Sequence, residues 1–533
     1  MLHTILSSTN WEPAFILLTI PASLLVYLII NEFIRHLARI PNFPGPRGLP
    51  VIGNIHQIRA NAAERYRMWA GTYGDVFQIQ LGNVPVIVVN SAAAAKVIFG
   101  QNSSSLSSRP VFYTFHKVLS NTAGTTIGTS PYTPSLKRRR KGAASALNKP
   151  SIQTYIPHLD LETRSFISEC LTKKKGGSID PMPLIQRLSL SLALTLNWGT
   201  RMATQANPLF HEITAVEEEI SRFRSTTGNL QDYILVLRIL GWFGLGSGSK
   251  RAREMRGRRD VYLGLLNRDL EVRMEKGVQK PCIQANVMLD EEAKLNREEL
   301  TSISLTMLSG GLDTITTLLQ WSIALLAKRP DIQEKAVEEL RKVYGPDQLL
   351  CDAEDDQSCE YIVALVKECL RFFTPLRLSL PRASIRDITY KGKTIPSGTT
   401  VFLNAWACNM DPTHHSPPSP PPSIFTPERH LPPYSASPSA SPQLYTYGLG
   451  YRMCAGSLLA NRELYLVFAR MLSCFEIRLD GEVDTDPVRG CRDPTGLVST
   501  PGGYRVFFVP RGDLGEMVGG CSGGDRDGGR GDM

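Results

Sequence analysis

The residues with the most chemistry in the chain lie in Tyr447–Gly456, YGLGYRMCAG. One cysteine, Cys454, sits in a glycine-rich loop just before a helical pattern over 455–471. Gly448 and Gly450 allow tight turns and close backbone approach to a flat ligand. N–H groups at the start of a helix stabilise a thiolate at Cys454. Arg452 adds a cation for an anionic group. Further upstream, Glu368 and Arg371 stand three apart in the helical run VKECLRFF and can pair on one face. A third stretch, Gly310-Gly311-Leu312-Asp313-Thr314, falls inside a long helical pattern over 298–328. Each interior glycine costs about 1 kcal/mol relative to alanine, so something must approach the helix closely there or open it. Asp313 and Thr314 place an acid and an alcohol beside that gap.

These residues need a sizeable scaffold, and the composition supplies one. The chain has 533 residues, 42% of them apolar and 20% charged, which excludes wholesale disorder. The formal charge of +9 is mild for this length and does not point to nucleic acid. Ten cysteines without a CxxC pair exclude a disulfide scaffold, a zinc ribbon and a thioredoxin-type site. Helical patterns dominate beyond residue 140, over 160–173, 182–197, 209–224, 251–276, 331–343 and 358–373. Ala92 to Phe99 also reads as helical. Asp75 to Asn90 reads as a hairpin around Gly82-Asn83, and short β runs return near 388–403 and 504–509.

The N-terminus carries an uncharged run, Ala14 to Ile30. It is long enough for a short transmembrane helix, although Pro21 interrupts it. Residues 1–13 lack Lys and Arg, whereas Arg35 and Arg39 follow the run, which disfavours a cleaved signal peptide. The same asymmetry leaves the bulk of the chain in the cytosol. The division expected is an anchor over 1–31, a basic, proline-rich hinge over 32–50, a catalytic domain over 51–512 and a disordered glycine-rich tail over 513–533.

The Cys454 loop resembles the haem-binding loop of cytochromes P-450, F-x-x-G-x-R-x-C-x-G, with Tyr447 in place of Phe. ExxR at Glu368 and Arg371, a later Pro427-Glu428-Arg429, and Gly-Gly-Leu-Asp-Thr follow the family's order. Within the family the chain is most similar to fungal phenylacetate hydroxylases, through Thr126 to Asn148, Leu376 to Tyr390 and Tyr447 to Phe468. The resemblance implies a mainly α fold with small β-sheets, the cytochrome P-450 fold, behind one N-terminal transmembrane helix. It implies haem b with Cys454 as axial iron ligand. Arg452, Arg382 and Lys137 or Arg138 match positions that pair with the haem propionates, and Gly448 and Gly456 belong to the haem loop. Glu368, Arg371 and Arg429 match the structural triad beneath the haem. Asp313 and Thr314 match the pair that relays protons for oxygen activation.

The implied reaction is a monooxygenation using O2, with electrons from NADPH through a separate NADPH-cytochrome P-450 reductase, because the chain has no P-loop and no nucleotide fingerprint. The basic run Lys137 to Lys141 and Arg452 offer charge to an acidic partner. The implied setting is the endoplasmic reticulum membrane, single-pass, with a cytosolic catalytic domain. The implied substrate is a small arylacetic acid, phenylacetate going to 2-hydroxyphenylacetate, and Arg377 is the candidate for its carboxylate. Two alternatives stay open: a tailoring oxidase acting on another small aromatic, and a haem-binding carrier or sensor, against which Asp313 and Thr314 speak.

Thr413 to Ser423, THHSPPSPPPS, departs from the family, which usually has a Trp and a second Asp-Pro there. So proline-rich a segment is not expected to reproduce the usual packed meander. His414 and His415 read as a solvated loop, and His430 stands where Trp or Phe is common.

Overall fold

Asn296 and Glu299 start the longest helix by a reciprocal cap. Asn296 Oδ1 accepts from the Glu299 N–H at 2.9 Å, and Glu299 Oε2 accepts from the Asn296 N–H at 3.2 Å. The structure, a computed structural model, describes residues 11–122, 124–172, 177–242, 247–290, 294–346, 348–415, 419–512 and 514, without the side chains of 11–18, 20, 240–242 and 247. Seven helices matter below: α1 (Trp11–Leu37), α2 (Pro134–Ala146), α3 (Met182–Trp198), α4 (Pro208–Arg224), α5 (Arg297–Ala327), α6 (Glu360–Phe373) and α7 (Ser457–Cys474). From Leu184 on, α3 is buried almost all round, as expected of a helix enclosed by others. It packs along α5, while α6 and α7 close the same core. Trp321 of α5 stacks on Phe373 of α6, with ring centres 4.9 Å apart.

Among the described residues, strands form three small sheets. In the largest, β1 (Val76–Leu81) pairs antiparallel with β2 (Val84–Val89) across the turn at Gly82, whose φ of 57° suits glycine. Strand β3 is Arg382–Ala383, β4 Ile388–Tyr390, β5 Lys393–Ile395 and β6 Thr400–Leu403. β6 runs parallel to β2 and antiparallel to β3, while β4 and β5 form a separate hairpin. The third sheet pairs β7 (Phe475–Asp480) with β8 (Arg505–Pro510). The fold is thus mainly helical with small sheets.

The apolar run over 14–30 lies partly outside the residues whose side chains are described. Among the residues whose side chains are described, no helix is long and apolar enough to cross a membrane. Along α1, Leu24, Leu25, Ile29, Ile30 and Phe33 are exposed. The proline-rich segment after it is docked. Ile40 and Phe43 are buried, and the Gln78 amide of β1 donates to Ile40 O while its Oε1 accepts from Ile40 N. A side chain thereby satisfies backbone that the prolines keep out of any ladder. The expected tail from 513 lies outside the described residues, apart from Leu514.

Glu368 gathers three elements. Arg371 binds it bidentately at 2.7 and 2.8 Å, Arg429 Nε lies 3.3 Å away, and the Thr426 N–H donates to it at 2.8 Å. Burial alone would raise its carboxyl pKa, but the charge and hydrogen bonds of Arg371 hold it well below the usual range. His430, which the family pattern leaves to an aromatic ring, lies with Nε2 3.2 Å from Glu368 Oε2. The described end of the proline-rich stretch, from Ser419, is built into this centre, contrary to expectation. Arg429 donates to the carbonyls of Pro420, Pro421 and Ile424 and to the Ser419 hydroxyl. Prolines lack N–H donors but keep their carbonyls, and the guanidinium needs only acceptors. Nor is the histidine pair loose: His414 Nε2 lies 2.9 Å from Gln443 O, and His415, 5% exposed, donates from Nε2 to Asn409 O at 2.9 Å.

Burial lowers the pKa of His415 from 6.5 to about 4, against the opposing hydrogen bond to Asn409. The folded state therefore binds its proton less readily than the unfolded chain. The stability linked to this group is complete above pH 6.5 and is lost as the pH falls towards 4. The urea midpoint should fall across that window, and His415→Asn, which keeps a donor for Asn409 O, should flatten the fall. Equal pH slopes in the two proteins would remove the group from the account.

Candidate active site

The Cys454 loop is shaped by two glycines in the left-handed region. Gly448 has φ 71° and Gly450 φ 57°. A Cβ on Gly450 would lie 2.5 Å from Phe99 O and 2.4 Å from Ser103 Cβ, so no other residue fits. The Cys454 N–H donates to Tyr447 O at 2.9 Å, which closes the loop directly before α7. Cys454 lines a cavity of about 330 Å³, and its accessible surface opens into it. Enclosure by the surrounding protein raises the thiol pKa, while the Gly456 N–H and Arg140 pull it down.

The opposite wall belongs to α5. Its turns stay α-helical through Gly310 and Gly311, so the glycines do not open the helix. A Cβ on Gly310 would meet nothing within 4 Å, and one on Gly311 would sit 3.5 Å from Ala193 Cβ of α3. Gly310 keeps space in the cavity, whereas Gly311 admits the neighbouring helix. Thr314 lines the same cavity and donates to Gly310 O at 2.6 Å. Asp313 is turned away, towards a second cavity of about 160 Å³. Consecutive helical residues differ by about 100° in direction, so acid and alcohol cannot share one wall. Burial raises the Asp313 pKa to about 7, Arg224 opposes this and Glu217 adds to it.

Four guanidinium groups line the Cys454 cavity: Arg109, Arg140, Arg382 and Arg452. Among the described residues none has a carboxylate partner within 4 Å. Arg452 is occupied by the carbonyls of Ser107, Ser130, Ile127 and Gly128, at 2.8–3.2 Å. Arg382 donates to Leu449 O and faces the Phe99 ring, and its buried Nη1 has no partner. Arg109 donates to Pro381 O at 2.7 Å and leaves Nε without a partner. Burial and the charge of Arg140 lower the pKa of Arg382 and Arg452, each to about 9. Such a cluster requires a bound anion.

Lys137 and Arg138 do not line the cavity. Lys137 is exposed beside the Tyr132 ring, and Arg138 pairs with Glu299 at 2.6 Å. The cation of α2 that lines the cavity is Arg140, while Arg139 is buried elsewhere, donating to Thr125 O and Ser302 Oγ. Leu136, Arg140, Ala143 and Leu147 lie at helical spacing on one inward face, and the last three line the cavity. That stripe was available in the sequence, hidden within a run of five basic residues. Arg109 carried no comparable signal, because a loop fold brings it to the site. Arg377 is absent from this wall and lines a small neighbouring cavity.

A flat dianion with a metal at its centre fits these residues: a thiol on one wall, guanidinium groups with unpartnered nitrogens at one edge, and open space above Gly310 and Gly456. Residues 43–508 match the cytochrome P450 family. The chain belongs to the cytochromes P450. Its enzyme class is accordingly haem-thiolate monooxygenase, whose haem, when bound, supplies the redox centre that activates dioxygen. The chain is 64% identical to a 3-hydroxyphenylacetate 6-hydroxylase of Emericella nidulans, over 92% of this chain and 93% of the relative. It is 41% identical to a phenylacetate 2-hydroxylase of the same organism, over 92% and 95%. A cytochrome P450 monooxygenase of Mycosarcoma maydis is 39% identical over 88% and 87%.

Placement of the cations predicts how haem is retained. Arg140→Met should speed haem loss to an apoprotein acceptor about tenfold or more, as expected for a lost charge-assisted hydrogen bond. Lys137→Met should change it less than about twofold. Equal effects would return the role to the exposed part of the run.

Proposed function

We propose that this cytochrome P450 hydroxylates the ring of an arylacetic acid at the carbon next to the acetate arm, with 3-hydroxyphenylacetate as first candidate and phenylacetate as second. The observation that carries this reading is the 64% identity, across nearly the whole of both chains, to a 3-hydroxyphenylacetate 6-hydroxylase. The phenylacetate 2-hydroxylase relative supports the same geometry, since ring positions 2 and 6 both flank the carbon that bears the arm. The mainly apolar cavity suits a single aromatic ring: Ile127, Ala193, Met307, Leu376 and Leu380 surround it.

In this reading Cys454 would hold the haem iron through its thiolate, and Arg109, Arg140 and Arg382 would receive the haem carboxylates. Arg452 ties the loop to the carbonyls around residues 107–130. Glu368, Arg371 and Arg429 brace the fold beneath. Thr314 holds its hydroxyl proton at the cavity wall. Asp313, close to half-protonated near neutral pH, draws on the second cavity. Electrons come from NADPH through a separate NADPH-cytochrome P-450 reductase. The exposed Lys137 and Arg138 suit an acidic partner, whereas buried Arg452 does not. Residues 1–31 anchor the protein in the endoplasmic reticulum membrane, single-pass, with the catalytic domain in the cytosol. The uncharged run and the exposed apolar face of α1 support that placement.

Product analysis tests the reaction. With reductase, NADPH and 3-hydroxyphenylacetate, the expected product is 2,5-dihydroxyphenylacetate. Hydroxylation at another carbon, or none with either acid, overturns the reading. In the same assay Thr314→Ala should fold and take up haem. It should still consume NADPH but yield several-fold less product and more peroxide. An unchanged product per NADPH would move proton supply elsewhere. The anchor has its own check: removal of residues 1–32 should release the protein from microsomes with its haem content intact, and a truncated chain without haem would put α1 inside the fold.

A further inference from the structure

A third, smaller cavity lies against the wall of the Cys454 cavity, and its chemistry is different. It encloses about 40 Å³, room for roughly two or three waters or one carboxylate group. Pro375 and Ser379 belong to both cavities. Arg377, only 6% exposed, lines the smaller one. Its guanidinium lies 5.5 Å from the centre of the Trp406 ring and donates to Pro487 O. Its Nε is buried without a partner. No carboxylate among the described residues lies within 4 Å of it, and Asp486 and Glu64 act on it only from farther away. A guanidinium so deeply buried with one carbonyl acceptor is under-satisfied, and a carboxylate is the group that matches its fork.

Ser379 carries the second observation. Its backbone has φ 49°, a conformation costly for serine, and its buried Oγ has no partner. The strained turn places a free hydroxyl at the partition between the two cavities. Thr226 and Thr227 supply further polar wall. The carboxylate on the wall, Asp493, is engaged locally, with Oδ1 accepting from the Thr495 N–H and hydroxyl at 2.9 and 2.7 Å. Half-exposed Thr227 and exposed Pro494 put one side of this cavity near the surface, while Pro375 and Ser379 put the other at the reacting cavity.

We propose that this cavity is a carboxylate-binding vestibule, in which Arg377 and Ser379 hold the acid group of an incoming arylacetate before its ring passes into the Cys454 cavity. The inference rests on the arylacetate reading above and deepens it by naming where the charge is recognised. A vestibule acts on capture: the site distinguishes acid from neutral ring, and does so in KM more than in kcat.

The test uses the haem-loaded, full-length enzyme and two ligands, 3-hydroxyphenylacetate and its neutral amide, 3-hydroxyphenylacetamide. Binding is read from the ligand-induced Soret shift. The wild type should bind the acid at least tenfold more tightly than the amide. Arg377→Met should weaken the acid tenfold or more while the amide stays within about twofold, and Arg377→Lys should recover part of the loss. In turnover, KM for the acid should rise with kcat kept within about twofold. Ser379→Ala should weaken the acid about threefold and the amide hardly at all, which decides the matter if Arg377→Met does not take up haem. Equal losses for acid and amide, a wild type indifferent to the charge, or a fall in kcat at unchanged KM would overturn the vestibule. If the wild type shifts with neither ligand although its carbon-monoxide complex is intact, the arylacetate reading falls and the vestibule with it. If the acid binds and Arg377→Met leaves it unchanged, only the vestibule falls.

Discussion

The Glu368 carboxylate is the point from which the site is held. It lies with no exposure between Arg371 and Arg429, and breaking such a buried pair typically costs about 3–5 kcal/mol. From Arg371 the connections run to Asn409, whose carbonyl it reaches at 3.3 Å. Asn409 in turn donates to Thr446 at 2.9 Å and accepts from the Tyr445 N–H at 2.8 Å. Thr446 directly precedes Tyr447, whose carbonyl receives the Cys454 N–H. A single carboxylate therefore fixes the cysteine loop through two further residues. This is how a loop, which has no ladder of its own, can hold a ligand within the tolerance that metal coordination demands.

The second organising feature is positive charge without counter-charge. Four guanidinium groups converge on the Cys454 cavity and a fifth lies behind its wall. In most interiors such groups are paired. Here the carbonyls of loops absorb part of their hydrogen-bonding capacity and leave specific nitrogens over. Those leftover donors indicate anions the chain does not itself provide. They also divide the anions: haem carboxylates at one edge, and a substrate acid at the other in the vestibule proposal.

Much of this is legible in the sequence. The helices over 182–197, 209–224 and 331–343 follow from apolar periodicity, and the hairpin from Gly82-Asn83. The Cys454 loop and the two charged motifs stand out through their resemblance to the family's sequences. What stayed hidden depends on contacts between distant segments. Helix Lys149–Thr172 begins well before the expected residue 160 because Pro157 is tolerated inside it. β7 went unnoticed although its partner β8 was expected. The proline-rich stretch seemed unable to pack, because its value lies in acceptors rather than donors. For Arg377 and Asp313, sequence does not state which of several adjacent cavities the side chain faces.

The division of α5 between two cavities has a consequence for how such an enzyme can diversify. Positions one step apart on that helix answer to different compartments, Thr314 to the Cys454 cavity and Asp313 to a more polar one. In the proposed reading, residues lining the first other than Thr314 can be exchanged to suit another ring without touching Asp313, and the acid can be retuned without reshaping the space for substrate. Selection can then act on selectivity and on proton handling as nearly separate traits. A lineage built on this helix can inherit its oxygen chemistry intact while its substrate drifts.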